Sequence, residues 1–246
     1  MYKRIEILAL AVLALVSCSK VAPDNEVEMR FCASIQPELV TRAGGEAEQL
    51  VANRAVLQLW QGDALAENIE QTISPGTAQI DFNGIKLVKG FDYDVYIWVG
   101  NNGYYDTSDL RNVSLASGKE YDGKTPQFDA FFAYTTVNGS QGDGIHNVTL
   151  KRPFAKVSFS APASQETTIA FSAATTLNLK TGKVSGSRHF QYTVDPMESS
   201  VKAFDYLFAD EEVTRMEYSF KFEDGEIKSV TVPITRNTKT NIIVNN

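Results

Sequence analysis

The sequence has few of the side chains that build metal sites and nucleophilic active sites, with two histidines and two cysteines in 246 residues. His146 and His189 fall in different predicted halves of the chain, and the one carboxylate close to either of them is Asp143. A zinc site needs three or four converging ligands, so these residues do not predict one. There is no glycine-rich phosphate loop before a helix, no nucleophile elbow and no zincin motif. We therefore predict no catalytic residue, no metal and no cofactor, and an enzyme is the least favoured function class.

Carboxylates at three places could carry chemistry, the alternative being an ordinary solvated surface. Asp92 and Asp94 share one face of a predicted strand and could in principle carry out acid–base catalysis. That spacing is more typical of a solvated face. The stretch from Asp106 to Asp109 and the pair Asp143-Gly144 could in principle hold calcium, but both offer too few oxygen ligands for a calcium cage.

The sequence also lacks a basic stripe, because its lysines and arginines are scattered and the formal net charge is −7 at pH 7. A nucleic acid or an anionic membrane surface would be repelled by such a chain. We therefore exclude nucleic acid as a partner.

The one long apolar run, Ile7 to Val16, follows Lys3 and Arg4 and is too short to span a bilayer. Residues 1–17 are therefore predicted to be a signal peptide. The stretch Leu15-Val16-Ser17-Cys18 resembles the bacterial lipobox, in which the cysteine is acylated before cleavage and becomes residue one. An ordinary secretory signal with an incidental cysteine is the alternative. An acylated Cys18 leaves Cys32 without a partner, which excludes a disulfide framework.

No helical period is sustained, whereas short strand-like runs separated by turn residues recur along the chain. The clearest strand is Val27 to Ile35, in which apolar and polar residues alternate and Cys32 falls on the polar face as a surface thiol. Thr181-Gly182-Lys183 is predicted to be a tight turn between two strands, and only Val201 to Phe208 is ambiguous with a helix. Further strands are predicted at Ala55 to Trp60, Gln79 to Phe82, Asp92 to Val99, Phe128 to Thr136, Thr167 to Ser172, Thr175 to Leu179, Val184 to Ser187, Tyr218 to Phe222, Ile227 to Ile234 and Asn241 to Val244.

The pattern predicts an all-β protein of two tandem β-sandwiches of the immunoglobulin-like kind. We call Leu150 to Phe159 the seam, because two strand-like runs meet there at Pro153, which cannot donate to a central ladder. One strand is predicted to close at Leu150 and, after a short basic elbow, the next opens at Val157. The predicted organisation is a tether at 18–26, an N-terminal sandwich at 27–152 and a C-terminal sandwich at 153–246.

Two loops carry the candidate interaction residues. Pro37 to Gly45 follows the first strand, and its Arg42 stands in an exposed segment of the kind that proteases prefer, which makes the Arg42–Ala43 bond a candidate processing site. Asn101-Asn102-Gly103 is a hairpin-type turn flanked by Trp98, Tyr104 and Tyr105, which could stack on a sugar ring or anchor a partner. Inward packing of Trp98 is the favoured alternative.

Several stretches together resemble the fimbrillin-like surface lipoproteins of Bacteroidetes, the type V pilin and anchor group. Besides the lipobox they are Asp94-Val95-Tyr96-Ile97-Trp98-Val99, Asp129-Ala130-Phe131-Phe132-Ala133, Leu150 to Lys156, and Val232 to Ile242. The resemblance covers nearly the whole mature chain in family order. It implies two transthyretin-like sandwiches, export as an outer-membrane lipoprotein on the cell surface, other pilin subunits as partners, and no enzymatic activity.

In polymerising members an arginine-specific protease cuts in the loop after the first strand, and Arg42 is the matching position. The departure is at the C-terminus, where Asn245-Asn246 end the sequence just after a strand and leave no obvious spare strand for a neighbour. We therefore expect a fimbrial subunit that is an accessory, tip or anchor component rather than a stalk repeat. A surface lipoprotein that binds a host or glycan ligand is the alternative.

Overall fold

The computed structural model describes residues 25–35, 50–140, 144–160, 166–195 and 203–244. Within these ranges the chain is almost entirely β, its one named helical element being a short 3-10 turn at Pro126–Phe128. The predicted all-β class is confirmed. No helix in the described residues is long and apolar enough to cross a membrane.

The strands divide into two sets, which we call the first and second halves. The first half contains β1 (Glu26–Ile35), β2 (Arg54–Gln61), β3 (Ala64–Thr72), β4 (Gln79–Val88), β5 (Asp92–Gly100), β6 (Tyr105–Asp106), β7 (Asn112–Leu115), β8 (Phe131–Asn138) and β9 (Gly144–Leu150). The second half contains β10 (Phe154–Ser160), β11 (Thr167–Ala173), β12 (Thr176–Asn178), β13 (Val184–Ser185), β14 (Arg188–Val194), β15 (Ala203–Phe208), β16 (Thr214–Phe222), β17 (Ile227–Ile234) and β18 (Lys239–Ile243).

Each half repeats the same sheet topology. The first half pairs the sheet β4-β1-β9 with the sheet β3-β2-β5-β8, and the second half pairs β15-β10-β18 with β14-β11-β16-β17. In both halves the first strand lies between an antiparallel neighbour and the last strand, which runs parallel to it. Inward-facing apolar residues of both first-half sheets form one core, as expected for a sandwich.

The two halves are also joined. A small sheet, β13-β12-β7-β6, takes two strands from each half. In β5, Val95, Ile97 and Val99 belong to the first-half core, whereas Tyr96 and Trp98 belong to a second core that contains most of the apolar residues of the second half. The central strands β2 and β5 of the large first-half sheet are therefore buried on both faces, whereas its edge strand β3 is exposed. The boundary between residues 152 and 153 stays a prediction.

The seam differs in detail from the prediction. β10 begins at Phe154, directly after Pro153, rather than at Val157. Arg152 is completely buried, so Lys151-Arg152 is not an exposed basic elbow. Burial is tolerated because Asp129 holds the Arg152 guanidinium through two contacts of 2.8 Å.

Of three local expectations, one that was left ambiguous is resolved, one is corrected and one agrees with the structure. Val201 to Phe208 contains strand β15, since its six described residues pair with β10 and are rich in aromatics, which favour strands. Asn101-Asn102-Gly103 is not a hairpin, because it leads from β5 to β6 and those strands pair with other partners. Thr181-Gly182-Lys183 does connect two paired strands, β12 and β13, and Gly182 has the positive φ that such a turn requires.

Candidate assembly site around the first strand

β1 is the centre of its sheet and has one buried and one solvated face. Its inward side chains are almost fully shielded, with exposed fractions of 0% for Phe31 and Ala33 and 1% for Met29. Glu28 and Ser34 lie on the exposed face. The predicted alternation of this strand is confirmed. Burial of the larger side chains stabilises β1 by about 1.5 to 3 kcal/mol each before conformational entropy is subtracted.

Hydrogen-bonded ladders hold β1 on both edges. Phe31 lies opposite Phe82 of β4 and opposite His146 of β9, whose ring it stacks on at a centroid distance of 5.4 Å. Ile35 donates its N–H to the carbonyl of Ala78 at 2.8 Å, just beyond the end of β1's ladder with β4. Removal of β1 would therefore leave a groove with an apolar floor and two unpaired strand edges, which another strand can fill by β-augmentation.

A β-bulge interrupts the pairing of β1 with β4. Between Met29 and Phe31, β1 has the single residue Arg30, whereas β4 has two residues, Asn83 and Gly84. Gly84 has a positive φ of 71°, the backbone conformation that favours glycine. The bulge keeps the apolar residues of both strands pointing inward on either side of it.

The solvated face of β1 has ordinary surface electrostatics. Arg30 forms a 2.8 Å ion pair with Asp81, and both side chains are about a third or more exposed to solvent. A hydrogen bond from Arg30 is the main cause of the lowered pKa of Asp81. Burial, followed by the contact with Asp81, raises the pKa of the Cys32 thiol. Cys32 is a half-buried free thiol, and nothing around it activates it as a nucleophile.

Three of the predicted site residues, Cys18, Arg42 and Ala43, lie outside the described residues. What the structure does establish is the strand that precedes Arg42. The chain leaves β1 at Ile35 and returns to the described part at Leu50, so the Arg42 segment connects β1 directly to the approach to β2.

The aromatic cluster beside Asn101-Asn102-Gly103 packs inward. Trp98 is 2% exposed and contacts Tyr105 at a centroid distance of 5.1 Å, while the Tyr105 hydroxyl donates to the Phe128 carbonyl at 2.6 Å. Only Tyr104 retains partial exposure, with its ring against Phe128. The suggested glycan or partner contact does not fit Trp98 or Tyr105, because their rings lie in the core between the halves. For Trp98, the inward-packing alternative matches the structure.

Asp92, Asp94 and His146, which were singled out in the sequence, have structural partners, whereas His189 is exposed and Asp143 lies outside the described residues. Asp94 accepts hydrogen bonds from the Tyr134 hydroxyl at 2.6 Å and from Lys180 at 2.9 Å. Burial alone would raise its pKa, but these two donors outweigh burial and lower it. Asp92 accepts from Asn138, and His146 stacks on Phe31. Among the residues that the structure describes, no three His, Cys, Asp or Glu side chains group as a metal site would require.

Two buried polar pairs were missed from the sequence. One is Arg152 with Asp129 at the seam. The other is Asp205 of β15, which is 3% exposed and accepts a 2.5 Å hydrogen bond from Tyr192. Burial raises the pKa of Asp205 to about 7, despite the opposing hydrogen bonds from Tyr192 and the Gly123 amide. Each pair joins residues far apart in sequence, so no local motif marks it.

Comparison with known families gives one match that covers most of the chain. The model of a family of unknown function, DUF6562, matches residues 20–245. No curated protein sequence matches at a significant level.

Solved structures share the fold at low sequence identity. A proposed adhesin from Bacteroides ovatus aligns with a TM-score of 0.59 and 12% identity, covering 89% of each chain. The fimbrial anchor protein Mfa2 from Porphyromonas gingivalis aligns with a TM-score of 0.56 and 13% identity, covering 82% of each chain. A structure described as proposed polysaccharide-binding proteins (DUF1812) from Bacteroides thetaiotaomicron aligns with a TM-score of 0.55 and 10% identity, covering 82% of this chain and 78% of that one. The fold expected from the resemblance is confirmed.

Proposed function

The chain belongs to the DUF6562 family of unknown function, and we propose that it is a non-enzymatic fimbrial subunit, acting as an accessory, tip or anchor component on the cell surface. The observation that carries this proposal is the placement of β1. It is a central strand with one buried face, and the segment that follows it contains Arg42. The shared fold with a fimbrial anchor protein supports the same reading.

The proposed mechanism is strand exchange triggered by proteolysis. Cleavage between Arg42 and Ala43 separates β1 covalently from β2 while the ladders with β4 and β9 still hold it. The strand then leaves only when another strand takes its place, because an empty groove would expose an apolar floor and two unpaired edges. Other pilin subunits are the proposed source of that strand.

Digestion of the folded protein with an arginine-specific protease tests the trigger. We expect one early cut, between Arg42 and Ala43, and association of the cut form with pilin partners. Arg42→Lys is the matched control, because it keeps the positive charge but removes the arginine that the protease recognises. Arg236, which is 7% exposed and is followed by Asn237, is an internal control that should resist cleavage in the folded state. If the protease does not cut the folded protein after Arg42, or if Arg42→Lys associates with pilin partners as well as wild type does, an uncut, lipid-retaining anchor would be favoured.

The proposed location is the outer membrane, through a lipid on Cys18. Wild-type protein from cells should partition with the outer membrane and carry an acylated Cys18 at its N-terminus. Cys18→Ser should be released or mislocalised, whereas Cys32→Ser should partition as wild type, because Cys32 lies within β1. Unchanged partitioning of Cys18→Ser would rule out the lipid anchor.

A glycan-binding surface lipoprotein is the second candidate. A cleft of about 340 Å³ lies beside the Asn101-Asn102-Gly103 turn, and polar groups of Arg54, Asn68 and Asn102 line it. These side chains offer the hydrogen-bond donors and acceptors that orient a sugar. A glycan array with wild type and Asn102→Ala separates the two functions, since only the glycan hypothesis predicts binding that this substitution removes.

A further inference from the structure

The inward positions of β1 follow an uneven order of sizes. Val27, Met29 and Phe31 are large, Ala33 is small, and Ile35 is large again. All of them are buried, with exposed fractions between 0% and 7%. Ala33 is therefore not a small residue at a frayed strand end but a small residue inside a continuous apolar row.

The surroundings of Ala33 are closed on every side that the structure defines. Ala33 is 0% exposed, and its ladder partners are Ile80 of β4 and Val148 of β9. Interiors of this kind are close-packed, and extra methylene groups force strain on their neighbours. One step earlier along the row, Phe31 fills a larger site between Phe82 and His146.

The order of sizes controls the register of any strand in this groove. A slip by one residue turns the inward set to solvent, so it is excluded by burial alone. A slip by two residues keeps the correct face inward. However, it places either Phe31 or Ile35 in the site of Ala33, depending on its direction.

We propose that the Ala33 site is a size gate that selects the strand admitted to this groove and fixes its register. The inference rests on the proposed strand exchange and specifies its partner: a strand of alternating apolar residues in which an alanine- or glycine-sized residue stands two positions after an aromatic one. Strands with a large residue at that position are rejected even when their overall hydrophobicity is higher.

The first test uses the intact, uncut chain, so it is independent of proteolysis. Ala33→Leu and Cys32→Leu both place a leucine in the middle of β1, but only position 33 faces inward. We expect Ala33→Leu to raise the equilibrium constant for unfolding at least about tenfold, while Cys32→Leu stays close to wild type in urea titrations. Equal stability of the two variants would overturn the gate.

The second test measures admission of a strand in trans. A recognition site for a sequence-specific protease is built into residues 36–49, the folded full-length chain is cut there, and a fluorescent peptide of residues 26–35 is added. Anisotropy should report capture of the wild-type and Cys32→Leu peptides, and at least about tenfold less capture of Ala33→Leu. Equal capture of all three peptides overturns the gate. Capture of none of them counts against strand exchange instead, and the intact-chain comparison then decides the gate.

Discussion

Strands β1 and β10 occupy the same position in the two halves, each between an antiparallel neighbour and the parallel last strand of its half. Their surroundings differ. β1 buries alternate residues and turns its other face to solvent, whereas β10 buries consecutive residues such as Phe154 with Ala155 and Val157 with Ser158. The equivalent strands are therefore held by one face in the first half and by two faces in the second.

The polar residues around the two strands differ as well. Directly before β10, the completely buried Arg152 is fixed by Asp129. The arginine of β1, Arg30, lies in the middle of the strand and forms a solvated ion pair with Asp81. The same topology thus holds β1 by one face and β10 by two, without any change in strand order. Under the proposed strand exchange we expect only β1 to be replaceable.

The largest expected effect is at the seam. Arg152→Ala leaves Asp129 buried without its main charge partner, and we expect a loss of about 3 to 5 kcal/mol in the free energy of unfolding. Urea titration measures this loss. The double variant Arg152→Met/Asp129→Leu is the control and should recover much of it, because it removes both buried charges. A loss below about 1 kcal/mol in Arg152→Ala would place this pair with ordinary surface ion pairs.

The next largest effect is on the pH dependence of stability, which should differ between the two halves. Met29 of β1 and Val157 of β10 each lie two positions before a buried phenylalanine. Met29 pairs with Ile85 of β4, whereas Val157 pairs with Asp205 of β15. The folded protein binds the Asp205 proton more tightly than the unfolded chain does, since burial raises the pKa from 3.8 to about 7. The contribution of Asp205 to stability is thus fully present below about pH 4 and is lost as the pH rises towards 7, at about 1.4 kcal/mol per pH unit.

Substitution isolates this contribution from the other titrating groups. Asp205→Asn should remove the part of the pH dependence of unfolding free energy that comes from Asp205, while keeping an acceptor for the Tyr192 hydroxyl. The stability of this variant relative to wild type should therefore increase from pH 5 to pH 7. Asp81→Asn on the first-half surface is the comparison, and it should show no such rise. Parallel pH profiles of wild type and Asp205→Asn would mean that Asp205 ionises in the folded state as it does in the unfolded chain.

The smallest effect is expected on the solvated face of β1. Arg30→Ala removes the ion pair with Asp81, and because both side chains are partly exposed we expect a change within about 1 kcal/mol. Urea titration measures the change in the free energy of unfolding, which can then be compared directly with that of Arg152→Ala. A loss as large as that of Arg152→Ala would remove the difference in how the two strands are held.

Local periodicity predicted the parts of the fold in which side chains alternate or turn residues are distinctive. β1 was predicted from Val27 to Ile35 because every second residue is apolar, and Gly182 marked the β12–β13 turn. β3 was not predicted, since Ala64–Thr72 is an exposed edge strand without an apolar face. Tyr105 looked available beside a loop because the second half, which covers it, is distant in sequence. The Arg152–Asp129 pair was missed for the same reason.

The central claim is that β1 can leave its half while β10 cannot, and matched cuts test it directly. One version of the chain is cut by a sequence-specific protease within residues 36–49, after β1, and the other between Ser160 and Glu166, after β10. Size-exclusion chromatography in increasing urea then reports when the fragments separate. We predict that the fragment carrying β1 dissociates at a urea concentration below global unfolding, whereas the fragments cut after β10 stay together until the whole chain unfolds. Separation of both pairs at the same concentration, or earlier loss of β10, would contradict the account.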